Sequence, residues 1–397
     1  MKQRIGYFVP ATLGMLTAFG PIVTDFYLPS MPEMQEYFRT SPSMVAMSLT
    51  AGMIGLALGQ ILIGPLSDKW GRKRLLTASM LLFAVASVLC MFAPNVYVFN
   101  AMRVLQGFGG AGGVVLSKSI SADMYTGKEL ADFMAVLAAI NGIAPIVAPV
   151  LGGTMANFTS WKGVFCLLLV IGILLMACSV RLRETLPPEK RTRQSVWHAY
   201  GNLLRVFRNR RFTLSTLAMM LTFFTFFAYI SSSPFIFQQI YGLSPFEYSL
   251  CFGLNALMIG VGSALAVRFH HQNTALKWGS IDFMVSAVLV AMCQCFRLPL
   301  AVLMPCYIYM LLSFGLMQPV ATAIALDAER DNAGAASAVF GAAGFMAGAL
   351  ASPLVSMGNI LVSTSVVMLV GALGCLCLTL PLCAAVKQEG MKKLRGE

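Results

Sequence analysis

Long apolar runs separated by short polar connections repeat from one end of the chain to the other. They fall at 5–28, 43–66, 75–93, 97–120, 131–156, 162–181, 212–235, 246–268, 276–296, 299–325, 333–357 and 361–385. An apolar run of about 20 residues crosses the hydrocarbon core of a bilayer as a helix. The strands of a membrane barrel would instead read as alternating segments of about ten residues, and the sequence has no such alternation. The pattern predicts an all-α integral membrane protein with twelve transmembrane helices.

The polar connections supply a topology. Lys69, Arg72, Lys73 and Arg74, then Lys128, the cluster from Arg181 to Arg211, then Arg268, Lys277 and Arg330 fall in alternate connections; the other set holds Arg39, Lys162 and Arg297. The positive-inside rule puts the basic set in the cytoplasm. Lys2, Arg4, Lys387, Lys392, Lys393 and Arg395 place both termini there as well, in keeping with an even number of spans. The connection 182–211 is long, polar and basic, contains Pro187-Pro188, and divides the helices six and six. We expect residues 1–181 to form one six-helix bundle, 182–211 a cytoplasmic linker and 212–397 a second, pseudo-symmetric bundle. Val196, Leu203, Leu204 and Phe207 suggest that part of the linker is an amphipathic helix on the membrane surface.

Composition agrees and closes other routes. The chain is 58% hydrophobic and 11% charged, whereas soluble domains carry about 25% charged residues. The net charge of +12 resides in connections and termini rather than along one face, so it reports topology and not nucleic-acid binding. Most of the ten cysteines lie inside apolar runs, and their spacing suits neither a disulfide framework nor a metal site. His198, His270 and His271 fall in connections, with no HExxH, no G-x-S-x-G and no P-loop. We expect no enzyme, no metal and no cofactor; the partners are the bilayer, a small-molecule substrate and protons, and the chain is expected to be a monomer.

Gly64-Pro65-Leu66-Ser67-Asp68-Lys69-Trp70-Gly71-Arg72-Lys73-Arg74 joins the second and third segments. Its glycines suit a tight turn. Asp68 suits a helix N-terminus in the other half, and the basic residues suit acids such as Asp123 at the end of the fourth segment. Gly64, Asp68, Gly71, Arg72, Lys73 and Asp123 would then latch one side shut. A positive-inside cluster around an ordinary turn fits the same residues. The pattern G-x-L-S-D-x-x-G-R-K resembles the signature loop of the major facilitator superfamily. Arg103-Val104-Leu105-Gln106-Gly107-Phe108-Gly109-Gly110-Ala111 and Ala148-Pro149-Val150-Leu151-Gly152-Gly153 resemble the fourth- and fifth-helix motifs of its drug/proton antiporters, with alanine where many members have glycine before the proline. Thr24-Asp25-Phe26-Tyr27-Leu28-Pro29 and Gly334-Ala335-Ala336-Ser337-Ala338 are similar to the Bcr/CflA branch. The resemblance implies the major facilitator fold, proton-coupled efflux of amphipathic or drug-like compounds by alternating access, and a bacterial inner membrane.

Charge inside the apolar segments is scarce, and an ionised group at the bilayer centre costs about 2.5–3.5 kcal/mol even on a lenient scale. Asp25 and Arg103 occupy similar depths in the outer half, so we expect them to face a central cavity, to sense each other and to couple proton movement to transport. The competing roles are a structural acid for Asp25 and a packing guanidinium bonded to backbone carbonyls for Arg103. Asp282 and Asp327 are weaker carboxylates at the cytoplasmic rim. In the fifth segment Pro145, Pro149, Gly152 and Gly153 suit a bendable, close-packed seam. Candidate substrate-lining residues are Tyr27, Asn141, Phe223, Phe227, Tyr229, Asn255, Tyr309 and Phe345, because aromatic and methionine-rich surfaces repack around varied apolar ligands. The alternative is export or import of one metabolite such as an amino acid or sugar.

Overall fold

The computed structural model describes residues 8–191, 205–266, 268–269, 272–329, 333–355 and 357–395, with no strand among them. Packing divides the chain into two compact units, Met1–Ala199 with Leu243–Ser249, and Tyr200–Gly242 with Leu250–Glu397.

The first unit contains α1 (Phe8–Thr17), α2 (Phe19–Asp25), a 3-10 turn (Leu28–Ser30), α3 (Met31–Phe38), α4 (Pro42–Trp70), α5 (Arg72–Met91), α6 (Val96–Met124), α7 (Gly127–Phe158) and α8 (Trp161–Arg181). The second contains a turn (Val206–Arg208), α9 (Arg210–Phe235) running into a π turn (Ile236–Ile240), α10 (Pro245–Ala266, whose first residues group with the first unit), α11 (Gln272–Cys295), α12 (Leu300–Ala328), α13 (Ala333–Leu354) and α14 (Ile360–Arg395). Eleven of the twelve predicted segments fall on one helix each. Among the described residues ten helices are long and apolar enough to cross a membrane, or eleven if the bent pair Phe8–Thr17 and Phe19–Phe38 is one span. The counterpart of 97–120 is α6, 29 residues long and carrying Arg103, Lys118 and Asp123.

The first predicted span, 5–28, is not one straight helix. Phe8–Thr17 and Phe19–Phe38 meet at a bend of 41°. Pro21 lies in the first turn of α2, where its missing donor costs nothing, but it could not bond the carbonyl of Thr17, so the helix stops and restarts. Pro29 and Pro32 then confine the chain to a short turn before α3. This broken stretch carries Asp25.

Both units bring two long helices together through glycine. In the first, a side chain at Gly55 would strike the carbonyl of Val104, and one at Gly107 the carbonyl of Gly52, so α4 and α6 touch backbone to backbone. In the second, Gly262 meets the Leu312 carbonyl and Gly315 that of Ile259, giving α10 and α12 the same contact. Small residues drive helix association in lipid because close approach, rather than hydrophobic exclusion, supplies the attraction.

Val196, Leu203 and Leu204 of the expected surface helix lie outside the described residues, as do His198, His270 and His271. Phe207 falls in the turn Val206–Arg208 and is exposed, while Val206 is buried.

Candidate functional site

Arg103, eight residues into α6, is wholly buried. Its NH2 donates to the carbonyl of Val23 at 2.6 Å and its Nε to that of Ser48 at 3.4 Å. Its NH1 donates to Gln106 Oε1. The guanidinium lies over the Tyr27 ring, 4.3 Å from the centroid. Gln106 passes the chain on, donating to Ser87 Oγ at 2.7 Å, which donates to the Phe83 carbonyl at 2.7 Å. Tyr27 and Ser48 share a hydroxyl hydrogen bond of 2.9 Å.

Asp25 and Arg103, expected to sense each other, are not joined by an ion pair: among the described residues Arg103 makes none. The reason is the break after Asp25. The last four carbonyls of a helix have no partner within it, and Val23 is one of these in α2. A planar guanidinium with five donors is well matched to such an oxygen. Arg103 therefore grips the backbone two residues before Asp25 rather than its carboxylate.

Asp25 is the last residue of α2 and 4% exposed, and its Oδ1 is buried with no hydrogen-bond partner. Thr24 beside it turns its hydroxyl back to the Gly20 carbonyl. From the other side, Gly152 of α7 lies against the carbonyl of Phe26 so closely that a side chain would not fit. The Arg103 and Gly152 motifs thus meet at one place, the chain break at 23–26. Pro145 and Pro149 both lie within α7, which is assigned as one helix across them.

The loop between α4 and α5 forms a second cluster. Gly71 has φ 97°, a conformation glycine adopts without strain, and makes the turn. Gly64 does not; it is inside α4, and its carbonyl accepts from Ser67 Oγ. Arg72 is the hub: it pairs with Asp68 at 2.6 Å and with Asp123 at 3.0 Å, and donates to Ser67 Oγ at 2.5 Å. Asp68, expected at a helix N-terminus, is half exposed and bonded to Arg72 one turn along. Lys73 forms no ion pair among the described residues, but its backbone N–H donates to Glu184.

Glu184 was not singled out in the sequence. Its oxygens accept from the backbone N–H of Arg72 at 2.9 Å, Lys73 at 3.3 Å, and Thr185 and Leu186, both at 3.1 Å. A carboxylate there satisfies orphan donors of α5 and faces the positive end of its dipole. Thr185 donates to Asp123, and Leu182 and Leu186 are buried. The start of the expected linker is therefore part of the first unit. The available signal was one acid among arginines, placed after α8.

The substrate candidates separate into groups. Tyr27 is engaged by Arg103 and Ser48. Asn141 is exposed on α7. In the second unit Phe223, Phe227 and Phe345 join Phe226 and Phe314 in one ring cluster. Tyr229 stacks on Phe252 and accepts from Asn255 at 2.8 Å. Tyr309 donates to Asp282 at 2.8 Å. Sequence reasoning missed the neutral network of Gln294, which donates to Tyr307 at 2.6 Å and accepts from Ser365 at 2.7 Å.

The family model described as Major Facilitator Superfamily matches residues 13–353. The chain belongs to that superfamily. It is an integral, multi-pass membrane transporter with the major facilitator fold. An uncharacterized MFS-type transporter of Bacillus subtilis, YdgK, is 36% identical over 90% of both chains. A bicyclomycin resistance protein homolog of Haemophilus influenzae is 28% identical over 68% of both. The crystal structure of a D-xylose-proton symporter superposes with TM-score 0.72, covering 93% of this chain and 96% of that one, at 16% identity. This last likeness speaks for the fold alone.

Proposed function

We propose that the transporter exports small amphipathic compounds in exchange for protons by alternating access, and that Asp25 carries the proton. The observation behind this is the Asp25 carboxyl, buried at a break in its helix with one oxygen unpartnered. Structural carboxylates inside proteins have their lone pairs met; one that does not, at membrane depth, is suited to binding and releasing a proton or a cargo group. Arg103 and Gly152 hold the backbone on either side of it. A shift of α6 or α7 would therefore alter the carboxyl's surroundings without any direct ion pair. The two bundles, 1–181 and 212–397, would rock about the substrate, with Arg72, Asp68 and Asp123 latching the basic, cytoplasmic side. Both termini lie on that side of a bacterial inner membrane.

Relatives named for bicyclomycin, chloramphenicol and multidrug resistance favour drug-like cargo, and the ring cluster around Phe223 and Phe227 favours an apolar part in it. Asn255 supports a second reading, a specific polar metabolite, because its Oδ1 is buried without a partner.

The test is transport in proteoliposomes with an imposed pH gradient, using bicyclomycin, a panel of amphipathic cations, and amino acids and sugars. Wild-type protein should release protons when an amphipathic compound is added. Asp25→Asn should abolish that release while inserting normally. Unchanged proton release in Asp25→Asn would remove Asp25 from the mechanism, and proton release on adding amino acids or sugars alone would select the second reading.

A further inference from the structure

At the basic end of α5 a groove of about 600 Å³ opens between α5, the end of α8 and the segment that follows it. Its polar lining is Lys73, Arg74, Thr77, Glu184 and Arg191, and its apolar wall is Ala78, Leu81 and Val180. Leu81 and Val180 are each about half exposed, so no described residue covers that wall. We propose that this groove binds an anionic phospholipid of the cytoplasmic leaflet, its phosphate between the three cations and an acyl chain along Leu81 and Val180. The inference does not depend on what the transporter carries.

Charge accounting favours an anion. Lys73 and Arg74 form no ion pair among the described residues, and Arg191 has a buried Nε without a partner. The acid in the lining, Glu184, is 3.6 Å from Arg191, and its two oxygens are already taken by four backbone N–H groups. Three cations thus face one carboxylate whose acceptor sites are spent. The apolar wall decides the kind of anion. A free phosphate would leave Leu81 and Val180 bare, whereas a phospholipid presents a charged head and an apolar tail in this order along the bilayer normal. Basic pockets between membrane helices on the cytoplasmic side bind such headgroups by this combination.

Native mass spectrometry of the full chain in neutral detergent, titrated with phosphatidylglycerol or with phosphatidylcholine of the same acyl chains, tests the proposal. Phosphatidylglycerol should be retained and phosphatidylcholine should not. The R74Q/R191Q variant should retain phosphatidylglycerol about tenfold or more weakly, the size expected when two basic side chains at a membrane surface are lost. K128Q/R208Q, with the same loss of charge elsewhere, should match wild type. Should R74Q/R191Q fail to fold, R74Q alone, at an exposed residue, should still weaken retention severalfold. Equal retention of the two lipids, undiminished retention in the groove variants, or displacement of phosphatidylglycerol by inorganic phosphate would each overturn the proposal.

Discussion

The two units solve the same packing problem with glycine where two of their long helices cross, yet they differ in what they bury beside it. In the first unit α6 carries Arg103, a permanent cation spread over two backbone carbonyls, a glutamine and the face of a tyrosine. In the second, the polar centre is Gln294 with Tyr307 and Ser365, and Tyr229 with Asn255, all uncharged. A neutral network costs little to desolvate once its hydrogen bonds are met. A buried charge costs several kcal/mol even when bonded. Among the described residues only the first unit buries a charge this deeply; under the proposed function the first half would then position a mobile charge and the second would supply an apolar wall.

The largest test of that asymmetry is Arg103→Ala. It strips a donor from the Val23 carbonyl, at the end of α2, and from Gln106 in a buried site; the Ser48 carbonyl, inside α4, keeps the donor of its own helix. Each buried acceptor left unmet costs about 1–3 kcal/mol, so purified Arg103→Ala protein should unfold at clearly lower temperature and lose proton-coupled transport. Arg103→Lys offers a point charge in place of the planar fork and should fall between. Wild-type transport by Arg103→Ala would show that α2 ends where it does without help from α6.

Gly152→Ala comes next. Its new methyl group would press on the Phe26 carbonyl, and overpacking of this kind costs about 1–3 kcal/mol. Gly142 stands in the same helix with nothing near it, so Gly142→Ala should leave thermal stability unchanged. Equal behaviour of the two would mean that α7 does not bear on the break at Asp25.

The elements of the fold were legible because lipid imposes one length and one composition on every span. Eleven of the twelve predicted runs fall on one helix each, and the first is divided between α1 and α2. The motif residues were legible too, but their partners were not. Arg103 was expected to face a cavity and sense Asp25, with bonding to backbone carbonyls as its competing role. It bonds the carbonyl of Val23 at the end of α2 and that of Ser48 inside α4, and no periodicity in the sequence shows which oxygens a side chain from another helix reaches. Glu184 was hidden for a related reason. Helix caps are set by where a distant segment lands, here a residue after α8 on the first turn of α5. Gln294, Tyr307 and Ser365 lie far apart in sequence and carry no motif, so only their contact reveals them.

Gln294→Leu probes the neutral side of the comparison. It deletes two hydrogen bonds and leaves the Tyr307 hydroxyl and Ser365 to find other partners, for a loss of about 1–2 kcal/mol in thermal unfolding. Transport should keep its wild-type dependence on the pH gradient. If instead the gradient dependence shifts as it does in Arg103→Ala, the second unit takes part in coupling and the division of work is wrong.

The smallest effect should come from the polar corners at the basic ends of the units. In the first, Glu184 caps α5 through backbone donors, Arg72 ties Asp68 to Asp123, and Gly71 fixes the turn. In the second, Arg211 meets Asp327 at 3.1 Å and Asn209 donates to the Ala328 carbonyl at 2.7 Å. Asp327 is about a third exposed, and a partly solvated pair of this kind contributes roughly 0–1 kcal/mol. Asp327→Asn should therefore shift thermal unfolding little and leave transport intact. Asp123→Asn, which faces Arg72 and Thr185 together in a less exposed setting, should slow transport measurably while changing stability by a similar small amount. The reverse order, with Asp327→Asn the more damaging of the two, would move the latch to the second unit.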